Sequence, residues 1–154
     1  MTPTIHGRVR SGRWERDPGG RQNRRMDLSP FGARATAGTL RDDQGVVLPH
    51  AWTGAGVVAG APSNGAQVLH LSVALCVLND LYREAARLGV EVAGVVVEAD
   101  GGFDDDWRST GIVYAVGIES PASEEEQAHL LRVVDDVAEI PRAIRAGAAV
   151  TRHK

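Results

Sequence analysis

The sequence predicts an α+β fold in which helices cover one face of an antiparallel sheet. Three observations carry this. From Val68 to Leu78 nearly every residue is apolar, so a helix here has no wet face and lies inside a domain or between two chains. Strand-like runs follow it, β-branched at Val95-Val96-Val97 and alternating at Ile112, Tyr114, Val116 and Ile118. A capped, amphipathic helical pattern then occupies Ser123 to Val137, with a shorter helix behind it.

The chain has 154 residues, 17 basic and 20 acidic side chains and a net charge of -3. That length suits one domain able to bury roughly two thirds of its unfolded surface, and the charge argues against nucleic acid as a partner. A single cysteine, Cys76, permits no intrachain disulfide, so an oxidising compartment is not implied. The amino terminus lacks the apolar core of a signal peptide. The central apolar run, broken by His70 and Ser72, is shorter than the roughly 20 residues a bilayer span needs. A cytoplasmic protein with no membrane association is expected. Residues 1 to 25 carry seven arginines against Glu15 and Asp17 and have few apolar side chains. They read as a basic arm, either solvated, laid over a second subunit or docked on an acidic partner. Residues 26 to 154 read as a single folded domain.

Taken in order, Thr4 to Arg10 alternates weakly, as an edge strand does. Ala33 to Leu40 and Val46 to Trp52 flank Asp42-Asp43-Gln44-Gly45 and predict a hairpin. Gly54 to Gly65, rich in Gly, Ala, Pro and Ser, predicts a loop that delivers the chain to the buried helix. Beyond Leu78 that helix narrows to a stripe of Leu81, Tyr82, Ala85 and Leu88, with Asp80, Arg83, Glu84 and Arg87 facing the other way and Gly89 placed for a left-handed cap. Val90 to Ala99 and Thr110 to Glu119 pair across a polar connection holding Asp100, Asp104, Asp105 and Asp106. Those aspartates lack the alternate ligands and closing Glu of a calcium loop, so a solubilising turn is expected there and no metal site. Ser123 and Glu126 form a capping box, and Leu130, Val133, Val134 and Val137 repeat at helical spacing with Leu131 at the stripe's edge. Pro141 opens a short helix that Gly147 closes, and Ala148 to Thr151 reads as a last strand.

The pattern Asn64-Gly65-Ala66-Gln67, then an apolar helix, then Cys76 resembles the Asn-Pro-Glu-Glu/Gln-Leu segment and first-cysteine helix of the OsmC/Ohr proteins, thiol peroxidases acting on organic hydroperoxides. Read from Gly38 onward, the order of segments is similar to that family over about three quarters of the chain. The resemblance implies an OsmC-like fold, an antiparallel sheet with a long buried central helix and two further helices, assembled as an intertwined homodimer. It implies Cys76 as the peroxide-attacking thiol and no cofactor. The family's second cysteine would fall on Ile140, before Pro141, and its glutamate on Ala66; the loop from Ala51 to Ala61 lacks the arginine of the OsmC branch. The implied function is an OsmC-like role in organic hydroperoxide defence with Cys76 activity reduced or lost. At most it is a one-cysteine peroxidase served by an external thiol. The alternative is a non-catalytic dimer that binds a small hydrophobic ligand at the subunit interface.

A thiol on an apolar helix has its pKa raised by desolvation. Arg34 or Arg41 on the first hairpin, or an arginine from the arm of a second subunit, are the candidates to restore charge beside it. Cys76 can equally serve as a small core hydrophobe. His70 stands roughly 9 Å from Cys76 along the helix axis at 1.5 Å per residue, too far for a direct pair. His6, His50, His129 and His153 lack metal-ligand spacing, and neither a Gly-x-Ser-x-Gly elbow nor a phosphate loop is present. Trp14, Trp52 and Trp107 read as cover for core edges or a subunit interface, with stacking against a ligand as the alternative.

Overall fold

The computed structural model describes residues 26–153, together with two short strands before them, β1 (Glu15–Arg16) and β2 (Gln22–Asn23), which pair antiparallel. The strand expected at Thr4 to Arg10, like most of the basic arm, lies outside the described residues. The domain continues as β3 (Ala33–Gly38), β4 (Val46–Leu48), β5 (Val57–Ala59), α1 (Gly65–Leu88), β6 (Gly94–Phe103), β7 (Ser109–Glu119), α2 (Glu124–Val137) and α3 (Glu139–Ala146). Strands β3 to β7 form one antiparallel sheet in the order β4-β5-β3-β6-β7.

Period-two alternation decides what each face of this sheet touches. Ala33, Ala35 and Ala37 of β3 and Val95, Val97 and Ala99 of β6 turn to α1 and form the core with Val77, Leu78 and Leu81. The small alanines let the 24-residue helix lie close on the strands. The intervening Thr36, Glu98 and Asp100 turn to the far face and are buried too, Thr36 under the Asp42 amide that donates to its hydroxyl at 2.8 Å and the two acids under residues 26–31. There Asp100 accepts hydrogen bonds from the Ser29 amide and hydroxyl at 2.6 and 2.7 Å, and Glu98 accepts one from the Met26 amide.

The ends of α1 follow local rules. Asn64 caps its start, its side chain accepting from the Gln67 amide at 3.0 Å, and Gly89 ends it at φ 71° while the Val90 amide returns to the Ala85 carbonyl. The capping box of α2 is present with both of its bonds, and Leu130 and Val134 are fully buried against α1. Ile112, Tyr114, Val116 and Ile118 share the face of β7 that packs on the core. No helix among the described residues is long and apolar enough to cross a membrane.

Several expectations are corrected. Ala33 to Leu40 does not pair with Val46 to Trp52: β5, inside the stretch expected to be loop, lies between β3 and β4 and pairs with both. Three residues are too few to show a period, but Val57, Val58 and Ala59 are all buried, as a strand inside a sheet requires. The second hairpin is tighter than expected. Its strands run on to Phe103 and from Ser109, and the turn is stitched by Asp104, whose Oδ1 accepts from the Asp106 and Arg108 amides at 2.9 and 2.8 Å. Ala148 to Thr151 forms no strand and is exposed, since no sheet edge receives it. Asp80 and Glu84 do not face solvent: they are 1% and 7% exposed. Finally, the Val68 to Leu78 segment does have an outer face in the single chain. Val68 is 52% exposed, and Leu69, Ser72, Leu75 and Cys76 are half-buried along one helical stripe.

Candidate functional site

Cys76 sits on that outer stripe, where the first turn of α3 crosses α1. Helical spacing puts Asp80 one turn and Arg83 two turns beyond it on the same side. The chain reversal between α2 and α3 is short, with Ala138 serving both helices as cap, and this sets Glu139 and Ile140 over the sulfur. The Ile140 amide donates to Cys76 Sγ at 3.4 Å; the thiol faces Asp80 Oδ2 at 3.9 Å and Glu139 Oε2 at 3.7 Å. The other oxygen of each carboxylate, Asp80 Oδ1 and Glu139 Oε1, is held by Arg83 Nη1 at 3.1 and 3.2 Å. One guanidinium thus orients both acids so that their free oxygens converge on the sulfur.

The electrostatics of the group are divided. Burial pushes the Cys76 thiol above its usual range and the two carboxylates add to that, while the Ile140 and Glu139 amides at the start of α3 pull the other way. Asp80 is pushed up to about 6, first by burial and then by Glu139, with Arg83 opposing. Glu139, exposed, is held below its usual range by its own backbone amide and then by Arg83. Sγ and one oxygen from each acid lie within 4.8 Å of one another, a spacing that a metal ion could use. Arg83 already supplies the cation that these acids need, so the cluster is an ion-pair network around a thiol.

Arg34 and Arg41 are not part of this group within the chain. Alternation sends Arg34 to the far face of β3, where it pairs with Glu98 at 2.6 Å and Asp42 at 2.9 Å beside a cavity of about 500 Å³. Arg41 lies past the end of β3, its amide bonded to the Gly38 carbonyl and its Nε buried without a partner among the described residues. Ile140 lies above Cys76, and its amide is what reaches the sulfur. Asp80, Arg83 and Glu139 were missed as site residues. The signal was present for the first two, since positions four and seven after Cys76 return to its side of a helix.

Ala66 lines a second cavity of about 430 Å³, walled by Phe31, Phe103 and Trp107 and closed by Asn64. Phe31 and Phe103 meet edge-on at 5.4 Å between ring centres. His70 lies behind them, fully buried, with Nδ1 2.7 Å from the Phe31 carbonyl and its ring stacked on Phe103. It braces the aromatic wall and has no contact with Cys76.

No family model matches the chain, and no curated protein matches it. Among solved structures, the chain is similar to an OsmC-like hydroperoxide resistance protein from Jannaschia sp. CCS1, with 16% identity over 80% of this chain and 92% of that one and a TM-score of 0.45.

Proposed function

We propose that the protein is an OsmC-type thiol peroxidase reduced to one cysteine, in which Cys76 attacks an organic hydroperoxide and an external thiol clears the resulting sulfenic acid. The observation that carries this reading is the partly buried sulfur set under the Ile140 amide and flanked by two acids that share the Arg83 guanidinium. Peroxide reduction by a thiol needs a sulfur that solvent can reach, a donor to stabilise its charge and polar groups to orient the peroxide. Cys76, which the resemblance implied, supplies the sulfur, while the Ile140 amide and the Asp80, Arg83 and Glu139 side chains supply the donor and the polar groups. The raised thiol predicts slow turnover. Lacking a partner cysteine, the sulfenic acid condenses with an external thiol to a mixed disulfide, and a second thiol releases Cys76. The reading includes a cytoplasmic homodimer, closed over Val68, Leu69, Ser72 and Leu75 with Cys76 left open at the edge of the seam, because apolar surface along a central helix is best hidden by a second copy. Consumption of cumene hydroperoxide with dithiothreitol or dihydrolipoamide tests it. Wild type should turn over and Cys76→Ala should not; equal rates overturn the proposal.

A second reading is favoured by the cavity at Ala66: a non-catalytic dimer that holds a small hydrophobic ligand against Phe31, Phe103 and Trp107. Saturating fatty or aromatic ligands should then raise the melting temperature of wild type, and an added side chain in Ala66→Phe should abolish the shift. No shift with any of them removes this reading.

A further inference from the structure

We propose that Asp80 is the proton carrier of the Cys76 reaction, taking the thiol proton on Oδ2 and returning it to the alkoxide that leaves. This rests on the peroxidase reading and goes beyond it by assigning a catalytic role to a residue on the helix itself. Three features single Asp80 out. Its Oδ2 faces Sγ at 3.9 Å while Oδ1 is pinned by Arg83, so the carboxylate cannot turn away. It is 1% exposed, so its carboxyl faces the sulfur and the Arg83 guanidinium rather than open solvent. Glu139 lies slightly nearer the sulfur, at 3.7 Å, but its side chain is 61% exposed and held ionised by Arg83 and its own amide, which makes it a poor donor to a leaving alkoxide. Two carboxyls whose surroundings push them apart, one up and one down, divide the roles of proton carrier and fixed charge between them.

The step balances. The S–H proton passes to Asp80 Oδ2, and the thiolate attacks the terminal oxygen of the hydroperoxide. An S–O bond forms as the O–O bond breaks, so the sulfur is oxidised by two electrons to sulfenic acid and the peroxide is reduced. The departing alkoxide takes the proton from Asp80 and leaves as the alcohol. The charged and titratable groups facing Asp80 are Cys76 and Arg83 from α1 and Glu139 from α3, with which Asp80 also shares a side-chain hydrogen bond, and Asn79 is a further hydrogen-bond partner.

The test compares two reactions of Cys76 in the reduced full-length protein: oxidation by cumene hydroperoxide, read by dimedone trapping and mass spectrometry, and alkylation by iodoacetamide, in which iodide leaves without a proton. In Asp80→Asn the ratio of peroxide to alkylation rate should fall about 100-fold, the usual scale for one acid–base group. Wild type should show a rise in peroxide rate through pH 6 and then a plateau, as Asp80 ionises. In Asp80→Asn the rate should follow thiol ionisation alone. An unchanged ratio in Asp80→Asn overturns the inference, and a wild-type rate that climbs steadily from pH 5 to 8 without that plateau does so independently of any variant. If wild type is alkylated normally yet forms no sulfenic acid, the peroxidase reading itself falls and takes this role with it.

Discussion

Replacing Arg83 with Met removes the one cation, among the described residues, that touches Asp80 and Glu139, while keeping an aliphatic stem on α1. At 3.1 Å and an effective dielectric near 20, the gross attraction between Arg83 and Asp80 is on the order of 5 kcal/mol. Arg83 is 37% exposed, so solvent screening and the dehydration already spent on Asp80 bring the expected net loss down to about 1–2 kcal/mol. For a domain of this size that is a fall of roughly 2–8 °C in melting temperature. The loss must depend on pH. Burial already raises the folded-state pKa of Asp80 above its unfolded value, and Arg83 opposes that rise; without it the pKa climbs further. A raised acid is stabilising when protonated and loses that advantage as pH rises through its folded-state pKa, so the variant should lose more at pH 8 than at pH 5, where Asp80 carries its proton in both proteins and only the Arg83 pairs with Glu84 and Glu139 are lost. Urea denaturation at the two pH values reads this directly. An equal loss at both, or none at pH 8, would refute the assignment of Arg83 as the charge that keeps Asp80 in its pocket.

Other perturbations separate the site from the scaffold. Glu139→Gln removes a carboxylate that raises the Cys76 thiol, so iodoacetamide should alkylate the variant faster than wild type at pH 8; a slower reaction would mean that Glu139 does not hold the thiol proton in place. Ser123→Ala deletes half of the α2 capping box and should cost about 1 kcal/mol, or roughly 2–4 °C, in thermal denaturation. Leu130→Ala empties a fully buried position between α2 and α1 and should cost about 2–5 kcal/mol in chemical denaturation. Gly38→Ala should be comparably harmful despite adding one methyl group, since Gly38 has φ 64° and a Cβ there would stand 2.1 Å from the Ala93 carbonyl and 2.7 Å from the Tyr82 hydroxyl. A soluble Gly38→Ala with wild-type melting would show that the β3–β6 contact yields easily.

What was legible in the sequence is what local physics controls. Apolar content and length gave α1, Gly89 its end, the Ser123 and Glu126 pair the start of α2, and alternation the inward face of β7. These signals lie within a few residues of the feature they specify. The Cys76 thiol could likewise be expected to ride high from the apolar company it keeps, as burial makes it do.

Tertiary structure alone decided partners and faces. A three-residue strand has no period to read, so the place of β5 between β3 and β4 emerged only once its neighbours were assembled. Whether Arg34 faces Cys76 or the opposite side of the sheet turns on a one-residue register, and the register put it with Glu98. Asp80 and Glu84 look like solvent-facing charges on a helical wheel. Asp80 is buried because α3 folds back over α1, bringing Glu139 and the Ile140 amide, 63 and 64 positions beyond Cys76, onto the site. Sequence could therefore nominate the sulfur, since its type and its helix are local properties. The charges that govern its reactivity come from contacts between distant segments, which no local pattern encodes.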